Sequence, residues 1–314
     1  MRHIPVLREE VQQYLALERD NVTVDTTLGL GGHASDSVQK VLPGGKLIAF
    51  DQDERNLLDA KATLKEFSSN IIFVHDNFRH LKTRLTGEGI EEFDAILFDL
   101  GLSSPHVDQA ERGFSFNKEG LLDMRFDQRE ETTAAEVINN YSETDLEEIF
   151  RKFGEEKFSR KLARMICERR EKTPFVTTTD LAQFIEASVP KKRSSRASKA
   201  HPATQIFQAL RMEVNDEMTA LLESLDQAME MLKIGGRVVV ISYHSVEDRV
   251  VKHFFQALEK PEVTPEEAIY RNHGDPIIEK ITRKPVIPSE KELEENPRSR
   301  SAKLRAYKKI KLYP

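Results

Sequence analysis

A doubly wound, largely parallel α/β sheet interrupted by a helical insertion is the fold that this 314-residue sequence predicts. Three observations lead there. Short apolar runs alternate with amphipathic stretches over roughly the first hundred residues, the alternation stops after Leu100, and no convincing strand returns before Arg237. The runs at 22–28 (VTVDTTL), 46–51 (KLIAFD), 70–76 (NIIFVHD) and 93–100 (FDAILFDL) are rich in β-branched and aromatic residues, as buried strands are. Between them, Glu54 to Phe67 places Leu57, Leu58, Lys61 and Leu64 at helical spacing, and Phe78 to Leu85 makes a shorter helix. Strands alternating with helices imply right-handed crossovers and a parallel sheet.

The gap from Leu100 to Arg237 is too long for one crossover. Residues around 134–171 and 180–188 read as charged amphipathic helices, with Leu146, Ile149, Phe150 and Phe153 forming one apolar stripe and Leu162, Met165 and Ile166 another. This predicts a helical insertion over residues 113–203 within a domain made of 1–112 and 204–314. One long helix from Thr204 to Leu232, stopped at Gly235-Gly236, leads back to a strand at 237–244 (RVVVISYH). The alternation in RAYKKIKLY, 305–313, suits an edge strand.

Composition narrows the class. Hydrophobic content of 39% and charged content of 32% are those of a soluble globular protein, and no apolar stretch is long enough to cross a bilayer. The N-terminus has an acidic pair where a secretory signal needs apolar residues, so a cytoplasmic location is expected. A single cysteine, Cys167, rules out an internal disulfide and a cysteine-built zinc cluster. The net charge of −6 hides two basic runs, KKRSSRASK at 191–199 and RSRSAKLRAYKKIK at 298–311. Because polyanions respond to local potential, these runs are compatible with a nucleic-acid partner; as solvated loop and tail they are equally ordinary.

DTTLGLGGHA, 25–34, follows the first strand and opens a helix, and its glycines allow a ligand to approach backbone N–H groups. Asp51, at the end of the second strand and about twenty residues on, is placed to accept the hydroxyls of a ribose. That pair suits a nicotinamide dinucleotide and S-adenosylmethionine alike. The third strand ends His75-Asp76-Asn77-Phe78, offering polar groups and a ring beside an adenine, and the fourth ends in the turning segment DLGLSSPH, 99–106, at the carboxyl edge where such sheets place their chemistry.

These segments, with HIPVL at 3–7, DTTLGLGGH at 25–33, DLGLSSPHVD at 99–108, RGFSF at 112–116, LDMRFD at 122–127, HPATQIFQALRMEVN at 201–215, ISYHSVEDRVVKHFF at 241–255 and RSRSAKLR at 298–305, resemble the RsmH/MraW family of ribosomal RNA small-subunit methyltransferases along the whole chain. The resemblance implies a class I, Rossmann-like methyltransferase domain with an inserted helical domain that recognises RNA. It implies methylation of the exocyclic N4 amine of a cytidine in the decoding region of 16S ribosomal RNA, within the small subunit. It places S-adenosylmethionine against Gly31, Gly32, His33, Asp51, Phe78, Asp99 and His106. The family often has glutamine where His106 stands; both hydrogen-bond, and histidine also titrates near neutral pH.

Methyl transfer to an amine is an in-line displacement that needs alignment and desolvation and no metal. Asp99 is expected to orient the amine or the cofactor, with Ser103 and Ser104 shaping the base pocket; a structural turn cap is the plain alternative for Asp99. Methylation at cytosine C5 would need a cysteine nucleophile, and Cys167 lies in the insertion. Asp123, Arg125 and Asp127 are expected to form a salt-bridged hinge, and Ser245 to cap the helix after the fifth strand or, with His244, Asp248 and Arg249, to meet the cytidine. His201-Pro202 marks a loop, and His3 packs at the N-terminus. Lys191, Lys192, Arg193, Arg196, Lys199, Arg298, Arg300, Lys303 and Arg305, with the rest of the basic run to Lys311, are the expected phosphate contacts. A DNA amino-methyltransferase, a non-catalytic RNA-binding assembly factor and a nicotinamide-dependent dehydrogenase are the competing readings. A homodimer is compatible with the sequence and not dictated by it.

Overall fold

The computed structural model describes residues 4–189, 201–262 and 273–314, so His3 and the basic residues 191–199 lie outside it. Five strands, β1 (Val22–Asp25), β2 (Lys46–Asp51), β3 (Ile71–His75), β4 (Phe93–Asp99) and β5 (Leu232–Ser242), run parallel. Two more, β6 (Ile278–Lys280) and β7 (Lys303–Lys309), run antiparallel and complete one sheet in the order β3-β2-β1-β4-β5-β7-β6. The helices in chain order are α1 (Arg8–Leu15), α2 (Gly32–Val41), α3 (Glu54–Thr63), α4 (Leu81–Gly87), α5 (Ser104–Asp108), α6 (Ala134–Asn140), α7 (Glu143–Lys152), α8 (Ser159–Arg170), α9 (Thr178–Ser188), α10 (Ala203–Val214), α11 (Glu217–Met231), α12 (Ser245–Glu259) and α13 (Glu290–Glu295). Among the described residues no helix is long and apolar enough to cross a membrane.

The chain forms two compact units, Met1–Gly101 with Met218–Pro314, and Leu102–Glu217. The first is the sheet with helices on both faces. In β4, Ile96 and Phe98 join a core with Leu221, Leu225 and Met229 of α11 and Val251 and Phe255 of α12. The intervening Ala95 and Leu97 join one with Val11 and Leu15 of α1. A strand covered on both sides must be apolar at every position, which is why 93–100 reads as a continuous run instead of alternating. In α3 the buried face is Leu57, Ala60 and the following Leu64, and Leu58 and Lys61 point outward.

The second unit is the helical one, with Leu146, Ile149, Phe150, Leu162 and Ile166 buried as their spacing predicts. It begins before residue 113 and extends past 203. Packing accounts for the wider bounds: Arg112 donates to the carbonyls of Arg125 (2.9 Å) and Phe126 (3.2 Å), and Asn215 donates to that of Met124 (2.8 Å) while accepting from Phe126 N (2.8 Å).

Three expectations are corrected. The long helix from 204 to 232 is two helices, broken at Asn215, whose side chain turns back onto the Arg211 carbonyl (2.8 Å), and at Asp216 with φ of +45°. Gly235-Gly236 does not stop a helix: α11 ends at Met231, and the glycines lie inside β5 where its register against β4 slips. The last strand is not at the edge, because the short β6 pairs with it and covers it.

Lys309 in β7 is 3% exposed, and its ammonium donates to the carbonyls of Met229 and Leu232 (both 2.6 Å) and Glu230 (3.4 Å). Those are carbonyls at the end of α11, where a cation is favoured. Burial holds the Lys309 amine below its ordinary range. Lys309→Met keeps the length and removes the donors, so urea unfolding of the variant is expected to show a loss of about 2–3 kcal/mol. An unchanged midpoint would show that water satisfies these carbonyls instead.

Candidate active site

In the sheet order, β1 and β4 are neighbours whose chains depart in opposite senses, and the crevice at their carboxyl ends is where open α/β sheets bind ligands. Asp25 ends β1, Asp51 ends β2 and Asp99 ends β4, so three carboxyls meet one edge. After β1 the chain turns at Gly31, whose φ of +82° suits glycine, and enters α2 with Gly32 and His33 in its first turn.

Each carboxyl is held by backbone or by a neighbouring side chain. Asp25 Oδ1 accepts from Thr27 N (3.1 Å), and the Thr27 hydroxyl accepts from Asp99 N (2.8 Å), tying the two central strand ends together. Asp51 accepts from Gly29 N and Asp53 N (both 2.8 Å) and from Asn56 Nδ2 (3.2 Å). The glycine turn and the acidic residue are thus bound to each other before any ligand arrives. Asp99 Oδ1 accepts from the Tyr243 hydroxyl (2.8 Å), and its Oδ2 stands 3.7 Å from Nε2 of the buried His33.

Burial pushes Asp25, Asp51 and Asp99 each up to about 7. The N–H donors of Asp53 and Gly29 work against this at Asp51, and Tyr243 works against it at Asp99, while the charge of Glu247 adds to it there. The edge is therefore poised near neutrality, where a ligand that donates hydrogen bonds draws the carboxylates into their charged form.

Phe78 begins a short 3-10 turn after β3, three residues beyond the register partner of Asp51, and packs edge-on against Phe98 (centroids 6.0 Å apart). Asp76 is bound by His80 (3.0 Å) and Arg84 (2.5 Å), which hold it below its ordinary range although burial pushes it up.

Sequence reasoning missed Tyr243 and Glu247 as site residues. Asp99 pairs in register with Ile241, so Tyr243, two residues on, sits at the same edge, and the register was the signal that could have found it. The buried Glu247 accepts from Tyr243 N (2.8 Å) and His244 N (3.2 Å), and its other oxygen lies 2.8 Å from His244 Nε2. His244, not Ser245, caps α12, in a box closed with Glu247. Asp248 is bound bidentately by Arg305 (2.7 and 3.1 Å) with Lys303 at 3.6 Å. Buried Arg305 and Lys309 are therefore withdrawn from the expected phosphate contacts, whereas Arg298 and Arg300 are exposed on a 3-10 turn at Pro297–Ser301.

The remaining predicted residues lie in the helical unit. Ser103 and His106 form a reciprocal cap at the start of α5, with His106 Nδ1 3.3 Å from Ser103 N and 3.0 Å from its hydroxyl. The imidazole, 4% exposed, has the rings of Phe114 and Phe126 each 5.0 Å away. Phe114 of RGFSF and Phe126 of LDMRFD thus pack with His106 and with each other. Asp123 pairs bidentately with Arg125 (2.9 and 2.7 Å), but Asp127 pairs with Arg129 (2.5 Å), so LDMRFD makes two local clamps rather than one bridge. His201 Nδ1 accepts from Ala203 N (3.1 Å) at the start of α10, and Cys167 lies on α8.

For Asp99 the pH dependence has a definite sign. Its folded value of about 7 exceeds the ordinary 3.8, so between those values the folded protein keeps a proton that the unfolded chain releases. Its contribution to stability therefore falls as pH rises through that window. Asp99→Asn keeps an acceptor for Tyr243 and removes the charge, so its melting temperature relative to wild type is expected to rise between pH 5 and pH 8. A difference that stays constant would contradict the burial.

The model of the MraW methylase family matches residues 1–310. A "Ribosomal RNA small subunit methyltransferase H" from Streptococcus dysgalactiae subsp. equisimilis is 45% identical over 311 residues, 98% of this chain and 98% of its own. The protein of the same description from Streptococcus pyogenes serotype M4 matches at the same identity and coverage. A crystal structure of an rRNA methylase from Streptococcus thermophilus aligns over 99% of both chains at a TM-score of 0.44 and 13% identity, a likeness that decides nothing about the site. On the match over almost its full length, the chain belongs to the MraW methylase family.

Proposed function

We propose that this protein methylates small-subunit ribosomal RNA with S-adenosylmethionine as donor, and that the acceptor is the exocyclic N4 amine of a cytidine in the decoding region of 16S rRNA. The observation that carries the reading is Asp99: a carboxylate at the carboxyl end of β4, one oxygen bound by Tyr243, beside the glycine turn and the carboxylate of Asp51. The relatives' shared description supplies the class of substrate.

The residues fit the donor. Asp51, already gripping the glycine turn, suits ribose hydroxyls; Gly31 and Gly32 let the ligand approach the start of α2 beside His33; Phe78 offers a ring to adenine. When bound, the sulfonium supplies an electrophilic methyl group. The N–CH3 bond forms as the S–CH3 bond breaks, the electron pair returns to sulfur, and the amine sheds one proton. A cytidine N4 amine is a weak nucleophile because its lone pair is delocalised into the ring, so an acceptor for one of its hydrogens favours the attacking geometry. We assign that to Asp99, with its proton passing on to water. Ser103 and Ser104 follow Asp99 closely in the chain, and we assign them to the target base on that proximity. The helical unit and the exposed Arg298 and Arg300 are assigned to RNA, together with Lys191, Lys192, Arg193, Arg196 and Lys199 outside the described residues.

Transfer of labelled methyl to small subunits lacking the modification, followed by nucleoside analysis, is expected to yield N4-methylcytidine with the wild type and at least a roughly 100-fold lower rate with Asp99→Ala. Label in another nucleoside would overturn the position, and no label in subunits or their RNA would overturn the activity. RNA affinity is expected to fall steeply with salt, and Arg298→Ala with Arg300→Ala to flatten the log–log slope by about 0.7–0.9 for each phosphate no longer neutralised. An unaltered slope would remove these two residues from the interface.

A further inference from the structure

We infer that Tyr243 is a positioning residue for the methyl transfer proposed above, on which the inference rests: its hydroxyl holds Oδ1 of Asp99 so that Oδ2 is the oxygen presented to the ligand. Three features of the sheet unit carry it. The hydroxyl donates to Asp99 Oδ1 at 2.8 Å, while Oδ2 lies toward His33 at 3.7 Å. The tyrosine's own backbone is pinned, its N–H donating at 2.8 Å to the buried Glu247. The ring has a dedicated seat against Gly101, where φ is +132° and a Cβ would come within 2.9 Å of Tyr243 Cδ2. Gly101 therefore does two things: it adopts a backbone that other residues rarely take, and it leaves room for the ring that reaches Asp99.

A carboxylate that must take part of an amine hydrogen needs a fixed orientation and a defined charge. One strong donor on the far oxygen provides both without occupying the near one. The titratable groups facing Asp99 are His33 from α2, Asp25 from β1, Glu247 from α12 and Tyr243 itself. Asp25 and Glu247 oppose its ionisation by their charge, and Tyr243 favours it.

Tyr243→Phe keeps the ring and removes only the donor. Loss of a hydrogen bond to a charged group is expected to lower kcat by about 10- to 100-fold at pH 6. The acid limb of the pH–rate profile moves upward by about one unit or more, much of the loss being recovered by pH 9. Replacing Tyr243 with a ring-fluorinated tyrosine, a stronger donor that preserves the fold, is expected to move the limb the other way. The titration of Asp99, followed by carboxyl-carbon NMR in the unreacted protein, should shift in step. A purely structural role predicts an equal loss at every pH and an unmoved titration, and either result overturns the inference. Failure of the wild type to methylate subunits overturns the underlying reaction and the inference with it. Wild-type transfer with an unshifted variant profile overturns the positioning role alone.

Discussion

The desolvation of three carboxyls at the carboxyl edge of the sheet, Asp25 and Asp51 buried and Asp99 partly so, each held by neighbouring backbone or by a side-chain donor, is the constraint around which the sheet unit is arranged. A buried carboxylate is costly unless donors face it. The turn after β1 supplies Thr27 N to Asp25 and Gly29 N to Asp51, and the loop after β5 supplies the Tyr243 hydroxyl to Asp99. The segments that reach the crevice are thus bound to one another through the groups proposed to receive the ligand. Their elevated pKa values follow from the same burial, so the site is held partly protonated near neutral pH and responds to what enters it.

The apolar strands were legible in the sequence because a parallel sheet covered on both faces leaves them no other composition. The helical unit was legible because its stripes at Leu146, Ile149, Phe150 and Phe153 have no strand-like reading. The failures have physical causes. The helix break at Asn215 goes with bonds from its side chain to residues some ninety positions earlier, which no local pattern reveals. The short β6 carries too few residues to show a period, and its partner β7 passed for an edge because its apolar and basic residues alternate. Arg305 and Lys309 are instead buried against Asp248 and the end of α11.

At the site, the residue types were legible and their partners were not. Asp51 and the glycines were recognised by spacing, but their direct hydrogen bond was not foreseen. Tyr243 lay inside a recognised block without a role until strand register set it beside Asp99. His106 is the same case: its cap with Ser103 and its packing beside the stacked Phe114 and Phe126 were not foreseen.

The most direct measurement is calorimetric titration of the protein with S-adenosylhomocysteine at pH 6.5 in buffers of differing ionisation enthalpy. If ribose hydroxyls and other donors meet the raised carboxyls, binding favours their ionised form and must release protons to the buffer. The account predicts saturable binding with net proton release that diminishes in Asp51→Asn. Binding without proton release, or no binding at all, would contradict it.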